Sequence, residues 1–122
     1  MSTLLFFYGT LKRGCCNHGQ LAGQAFVGEA RTLPGFRLYD LGGYPGLVAD
    51  ANDREGVTGE VWSIDAVALK RLDRFEGTHE GLYRREPIAL APPFADRAVE
   101  VYVPARAVEI KGLREVGSSW VE

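Results

Sequence analysis

The sequence predicts an α+β domain: a small mixed, mostly antiparallel β-barrel, closed or nearly closed, packed by one main helix with one or two short ones. Three observations predict it. Short apolar or alternating stretches recur along the chain, Gly and Pro punctuate them, and only the stretch ending Leu69-Lys70-Arg71-Leu72-Asp73-Arg74-Phe75-Glu76-Gly77 keeps a helical spacing. A parallel doubly wound sheet needs several crossover helices, which this pattern does not supply. At 122 residues there is room for one core and not two, so residues 1–122 read as a single domain. Hydrophobic residues make up 46% and charged residues 25%, which argues against disorder. A net charge of -2 with no basic run lacks the phosphate-binding electrostatics of a nucleic-acid partner.

Leu4-Leu5-Phe6-Phe7-Tyr8 is a continuous apolar run stopped by Gly9, the pattern of a buried central strand followed by a turn. The run is too short for a signal sequence or a membrane span, and no positive charge precedes it. A cytoplasmic chain without membrane segments is therefore expected. Gly9-Thr10-Leu11-Lys12-Arg13-Gly14 carries Gly at each end, so its backbone can bend sharply and present consecutive N–H groups. Cys15 to Ala22 is long enough for one or two helical turns, with Asn17 as a possible cap. The adjacent Cys15 and Cys16 do not suit disulfide geometry, and no other cysteine exists to pair with either, so both read as reduced thiols. With only His18 and His79 besides, no spacing resembles a metal, haem or iron–sulfur site, and no cofactor is expected.

Ala25 to Ala30 and Phe36 to Tyr39 alternate on either side of the Pro34-Gly35 turn and read as antiparallel strands. Gly42-Gly43-Tyr44-Pro45-Gly46 is a loop presenting one aromatic among small residues, followed by a short strand at Leu47 to Ala49. Asp50 to Gly56 reads as a surface turn. Val57 to Ile64 alternates, with Val57, Gly59, Val61 and Ser63 on one face and Thr58, Glu60, Trp62 and Ile64 on the other.

That strand feeds the helix. Asp65 is a plausible N-cap and Gly77 a left-handed stop, while Leu69, Leu72 and Phe75 mark the apolar stripe. Glu76 falls one turn after Leu72 on that stripe, so its carboxylate faces the core or a cavity. Burial and the carbonyl end of the helix dipole both raise the pKa of such a group, as a general base requires. The plainer reading is a carboxylate that snorkels or caps a neighbouring strand. Beyond a loop at Thr78 to Gly81, Leu82 to Ala91 is interrupted by Pro87 as an edge or bulged strand is, and Pro92-Pro93 ends it. Val99, Val101 and Val103 share one face of a last strand, and the tail from Ala105 has no sustained period. Trp120 either pins that tail or is a loose aromatic.

Several chemistries have only weak support. The first turn lacks the glycine spacing of nucleotide-binding loops; it can serve as an oxyanion-type cradle or be a plain strand-to-loop turn. Cys15 or Cys16 with His18 does not share a helical face, and Ser118-Ser119 has no nucleophile-elbow pattern. A glycosidase pair would need Glu60 brought against Glu76, which the sequence does not specify. Arg84-Arg85 either binds an anion or is solvated.

Taken together, Phe7-Tyr8-Gly9-Thr10-Leu11-Lys12-Arg13-Gly14 with Asn17-His18, then Gly59-Glu60-Val61-Trp62, then Leu72-Asp73-Arg74-Phe75-Glu76-Gly77 and Tyr83-Arg84-Arg85, resemble the gamma-glutamylcyclotransferase-like family. The resemblance runs from about Leu5 to Val103 in order. The Tyr-Gly-Thr-Leu form is closer to the gamma-glutamylamine cyclotransferase and plant avirulence-induced branch than to the glutathione-degrading one. It implies a small mixed β-barrel with flanking helices and a small-molecule gamma-glutamyl substrate. It maps the catalytic acid/base onto Glu76, the substrate cradle onto Tyr8, Gly9, Thr10 and Leu11, and a pocket aromatic onto Tyr83.

In that chemistry the substrate's own α-amine closes on its γ-carbonyl to give 5-oxoproline and a free amine. Neither metal nor nucleotide nor covalent intermediate is needed. Removal of a gamma-glutamyl protecting group is a variant of the same reaction, and a catalytically silent ligand-binding domain is the alternative.

Overall fold

In the computed structural model, which describes residues 2–122, the first apolar run forms β1 (Ser2–Phe7), the middle strand of a five-stranded sheet. The other four strands are β2 (Ala25–Arg31), β5 (Thr58–Asp65), β6 (Tyr83–Pro87) and β7 (Val99–Pro104), in the order β2-β5-β1-β7-β6. β1 lies antiparallel to β5, with Phe6 opposite Val61, and parallel to β7, with Phe6 opposite Val101. The sheet is therefore mixed and mostly antiparallel. β6 is an edge, as Pro87 requires, because a proline has no N–H to give to a second neighbour.

A second, three-stranded sheet is formed by β3 (Phe36–Asp40), β4 (Pro45–Ala49) and β8 (Glu115–Gly117), in the order β4-β3-β8. The expected barrel is thus not closed. The reason lies in β1, whose side chains alternate between two cores: Phe6 joins Leu38, Leu47 and the three valines of β7, while Leu5 and Phe7 join Ile64, Ala68 and Leu72. With the second sheet against one face and a helix against the other, both faces of the central strands are buried in layers.

That helix, α1 (Ala66–Phe75), starts where Asp65 accepts the Ala68 N–H at 2.8 Å and stops where Gly77 turns left-handed at φ 70°. Both ends match the sequence expectation. Phe75 does not, being 42% exposed where the stripe predicted burial, because the helix end overhangs a cavity rather than the core. The short helices are 3₁₀ turns at His18–Leu21 and Thr78–Glu80. Asn17 precedes the first without a capping hydrogen bond. Among the described residues no helix is long and apolar enough to cross a membrane.

Two loops carry more than their composition suggested. Asp53, expected on a surface turn, is buried, with its carboxylate accepting the N–H groups of Gly35 at 2.9 Å and Gly56 at 2.7 Å and pairing with Arg37 at 3.1 Å. The Gly35 N–H foremost, joined by those of Gly56, Glu55 and Phe36, holds that carboxyl far below the usual range. The tail, aperiodic in sequence, supplies β8 and then buries Trp120 in the inter-sheet core. Lys12 Nζ donates to the Trp120 carbonyl at 2.6 Å, so this tryptophan pins the tail to the loop after β1.

Candidate active site

Glu76 caps the carboxyl end of α1, its N–H still bonded to the Leu72 carbonyl at 2.8 Å. Its side chain is half-buried, and among the described residues it has neither an ion-pair partner nor a hydrogen-bond donor. Although part of its surface opens into a cavity, burial pushes the carboxyl from 4.5 up to about 7. Because no basic neighbour opposes the loss of water, burial is a sufficient cause without the helix dipole.

Across the cavity, β1 ends and the chain bends through Tyr8, Gly9, Thr10 and Leu11. Asn17 holds this bend from below, its N–H donating to the Thr10 carbonyl at 2.9 Å and its side-chain amide to Thr10 Oγ1 at 3.0 Å. A further bond from the Lys12 N–H to the Gly9 carbonyl, 3.2 Å, tightens the turn. The N–H groups of Gly9, Thr10 and Leu11 have no acceptor among the described residues. Three consecutive unpaired donors can receive an anion or a developing oxyanion.

Glu76, Tyr83 and the whole Tyr8 to Leu11 turn line one cavity of about 360 Å³. The Leu11 side chain itself goes into the helix-side core, so this residue meets the site through its backbone. Two tyrosines of the cavity wall are tied to the backbone: Tyr8 donates to the Tyr102 carbonyl at 2.8 Å and Tyr83 to the Pro45 carbonyl at 3.2 Å. Burial, with the Glu76 charge adding to it, raises both phenols above their usual value and keeps them protonated.

The sequence reading missed Tyr102, Tyr44, Phe75 and Leu82 as lining residues. Tyr44 was signalled by its glycine-rich loop and Tyr102 by its place opposite the valine face. Phe75 and Leu82 carried no signal, because only the meeting of the helix end with β6 brings them to the cavity mouth.

The other candidates are engaged elsewhere. Burial alone would raise Glu60, but the Arg13 N–H, the Trp62 indole and the Arg13 guanidinium outweigh it and hold Glu60 below the usual range. It lies outside the cavity of Glu76, so the two do not form a glycosidase pair. Arg85 is committed to Asp73 at 3.0 Å and Glu100 at 2.7 Å, and Arg84 to Glu86 at 2.7 Å; neither is a free anion site. Cys15 and Cys16 are unbridged, and His18 Nδ1 lies 2.9 Å from the Leu11 carbonyl rather than against a thiol. The Ser119 hydroxyl meets that of Thr58 at 2.9 Å, not a histidine.

Comparison with known proteins agrees with this geometry. Residues 5–122 match the family described as "Gamma-glutamyl cyclotransferase, AIG2-like". A Vibrio cholerae relative is 39% identical over 102 residues, covering 84% of each chain. The human gamma-glutamylaminecyclotransferase is 36% identical over 122 residues, covering 85% of this chain and 78% of its own. The crystal structure of a mouse AIG2-like protein superposes with a TM-score of 0.78 at 29% identity, over 93% of this chain and 85% of that one. Likeness in sequence and in fold, each spanning most of both chains, together with a family match that runs from residue 5 to residue 122, places this chain in the gamma-glutamyl cyclotransferase, AIG2-like family, to which it belongs.

Proposed function

We propose that this chain is a gamma-glutamyl cyclotransferase that releases 5-oxoproline and an amine from a small gamma-glutamyl substrate, with Glu76 as acid/base and the Tyr8 to Leu11 turn as cradle. The carrying observation is a carboxylate pushed by burial up to about 7 and, among the described residues, without a partner, in the same cavity as three backbone donors likewise without an acceptor. Glu76 takes a proton from the substrate α-ammonium, and the freed amine attacks the γ-carbonyl. The N–H groups of Gly9, Thr10 and Leu11 offset the charge that develops on oxygen. As the amide C–N bond breaks, Glu76 returns the proton to the departing nitrogen, and the second proton that the attacking nitrogen sheds on becoming the lactam N–H passes to the same nitrogen, so that the amine leaves as an ammonium. No water is consumed, and the sum is one amide in, one lactam and one amine out. Holding the chain folded supplies the proximity that an intramolecular attack exploits. A silent ligand-binding domain would better suit a Glu76 that is exposed or ion-paired; its half-buried, unpaired state favours catalysis.

Purified protein incubated with gamma-glutamyl amines, gamma-glutamyl dipeptides and glutathione is expected to release 5-oxoproline, read by chromatography, from at least one of them. Release from none ends the proposal. The pH profile gives a second test. Since the base must be ionised, kcat/KM is expected to climb roughly tenfold per pH unit below about 7 and to level off above it. A flat profile between pH 5 and pH 9 would remove Glu76 from the base role.

A further inference from the structure

A half-buried carboxylate without a partner attracts any cation within reach, and α1 brings one close to Glu76. Asp73 stands three residues before Glu76, so the two side chains leave the helix about 5–6 Å apart at their Cβ atoms. A guanidinium that reaches Asp73 therefore has Glu76 one turn away. Arg85 is that guanidinium: its Nε and Nη2 donate to the two oxygens of Asp73 at 3.0 Å and 3.1 Å, and its Nη1 to Glu100 at 2.7 Å, so all three nitrogens are taken. Tyr102, in the cavity wall, donates its hydroxyl to the same Asp73 at 2.6 Å. Burial and that bond raise the Tyr102 phenol, the charge of Glu76 adds to the rise and the charge of Arg85 opposes it, so one phenol feels both charges. Among the described residues, the titratable groups that share the cavity with Glu76 are phenols: Tyr8 of β1, Tyr83 of β6, Tyr102 of β7 and Tyr44 from the loop between β3 and β4. The His79 ring, on the 3₁₀ turn after Gly77, lies close enough to Asp73 to favour its charge. Glu76 itself is moved by burial alone, as expected if the paired charges of Asp73 and Arg85 cancel there.

Resting on the acid/base reading of Glu76, we infer that Asp73 is a positioning residue of the active site: with Glu100 it holds the Arg85 guanidinium in place and so keeps that cation from forming an ion pair with Glu76. An arginine at Glu76 would occupy the oxygens that must take the α-ammonium proton. An opposite charge there also favours the ionised carboxylate and weakens it as a base. Asp73 touches no substrate in this arrangement and acts through Arg85. Glu76 keeps its proton affinity because two other carboxylates, one on the helix and one on β7, compete for the cation.

The test follows the Glu76 carboxyl carbon by NMR between pH 4 and pH 9 in isotope-labelled protein, its signal identified by its absence from Glu76→Gln. Every protein compared also carries His79→Gln, so that the ring beside Asp73 is absent. With Asp73 intact the midpoint is expected at about 7. In Asp73→Asn, which releases Arg85 on one side, it is expected to fall by about one unit or more, as for a carboxylate given an opposite charge. The acid limb of kcat/KM for 5-oxoproline release should move with it. In Asp73→Asn with Arg85→Gln no cation is left, and the midpoint is expected back at about 7. Arg85→Gln alone should leave the midpoint no lower than with both residues intact, and decides the matter if Asp73→Asn does not fold. An unshifted midpoint in folded Asp73→Asn, or a fall in either protein that lacks Arg85, overturns the inference and leaves the ion pair a plain fastening between α1 and β6. The expected midpoints with no 5-oxoproline from any gamma-glutamyl compound would instead remove the cyclisation reading and keep the restraint on Arg85.

Discussion

The Glu76→Gln protein is expected to fold like the native chain yet to release 5-oxoproline about 10³-fold more slowly, within the range that loss of one positioned acid/base group produces. Glutamine keeps the shape of the side chain and cannot carry the proton. The substitution should also stabilise the protein, in a way that depends on pH. Between about 4.5 and 7 the folded chain holds a proton that the unfolded chain has already released, so native stability falls as pH rises through that window and stays lower above it. The glutamine variant has no such dependence. At pH 8 it is expected to be more stable by about 1–2 kcal/mol, less than the full shift implies because part of the side chain still meets solvent. Near pH 4 the two proteins should unfold at similar temperatures. Paired calorimetric scans at pH 4 and pH 8, with a turnover assay, test both halves. Full activity in the variant refutes the acid/base role, and equal stability at pH 8 refutes the burial of that charge.

Gly59→Ala is expected to cost about 3 kcal/mol of stability, the upper end for overpacking, because the added methyl meets main chain rather than a mobile side chain. A Cβ at Gly59 would fall on the carbonyl oxygen of Phe7 and 2.7 Å from the Phe6 ring. Neither can give way easily, since Phe7 lies opposite Glu60 in the β1–β5 ladder and Phe6 is fully buried. Relief must therefore come from parting β1 and β5 at the point where β1 enters the turn of Tyr8 to Leu11. Urea unfolding should show the loss of stability, and kcat/KM should fall as well although Gly59 does not line the cavity. An alanine variant with native stability would mean that the two strands separate freely there.

Much of the fold was legible because local patterns and tertiary demands coincided. The unbroken apolar run of β1 specified a strand buried on both faces, and the alternation of Val99, Val101 and Val103 specified which side of β7 enters the inter-sheet core. Asp65 and Gly77 marked the ends of α1 because a cap and a left-handed stop are requirements of the helix itself. β8 was not legible, since three residues of edge strand acquire their pairing only from β3. Nor was the burial of Asp53, whose charge is tolerated only because distant backbone donors converge on it. The open pair of sheets in place of a closed barrel has the same origin, for period-2 alternation says that a face is buried and not what buries it.

By itself the sequence determined that a carboxylate would stand on the apolar stripe at the end of the one sustained helix, and that a glycine-bounded bend would follow the first strand. Those are consequences of residue spacing along a single element. Only the tertiary structure decided that the two share a cavity, that Glu60 and the arginine pair are engaged elsewhere, and that Tyr44, Phe75 and Leu82 line that cavity with Glu76 as the one charged side chain among the described residues there. The reason is physical: spacing sets the direction of a side chain, but its solvation, its partners and hence its proton affinity depend on atoms that arrive from other parts of the chain.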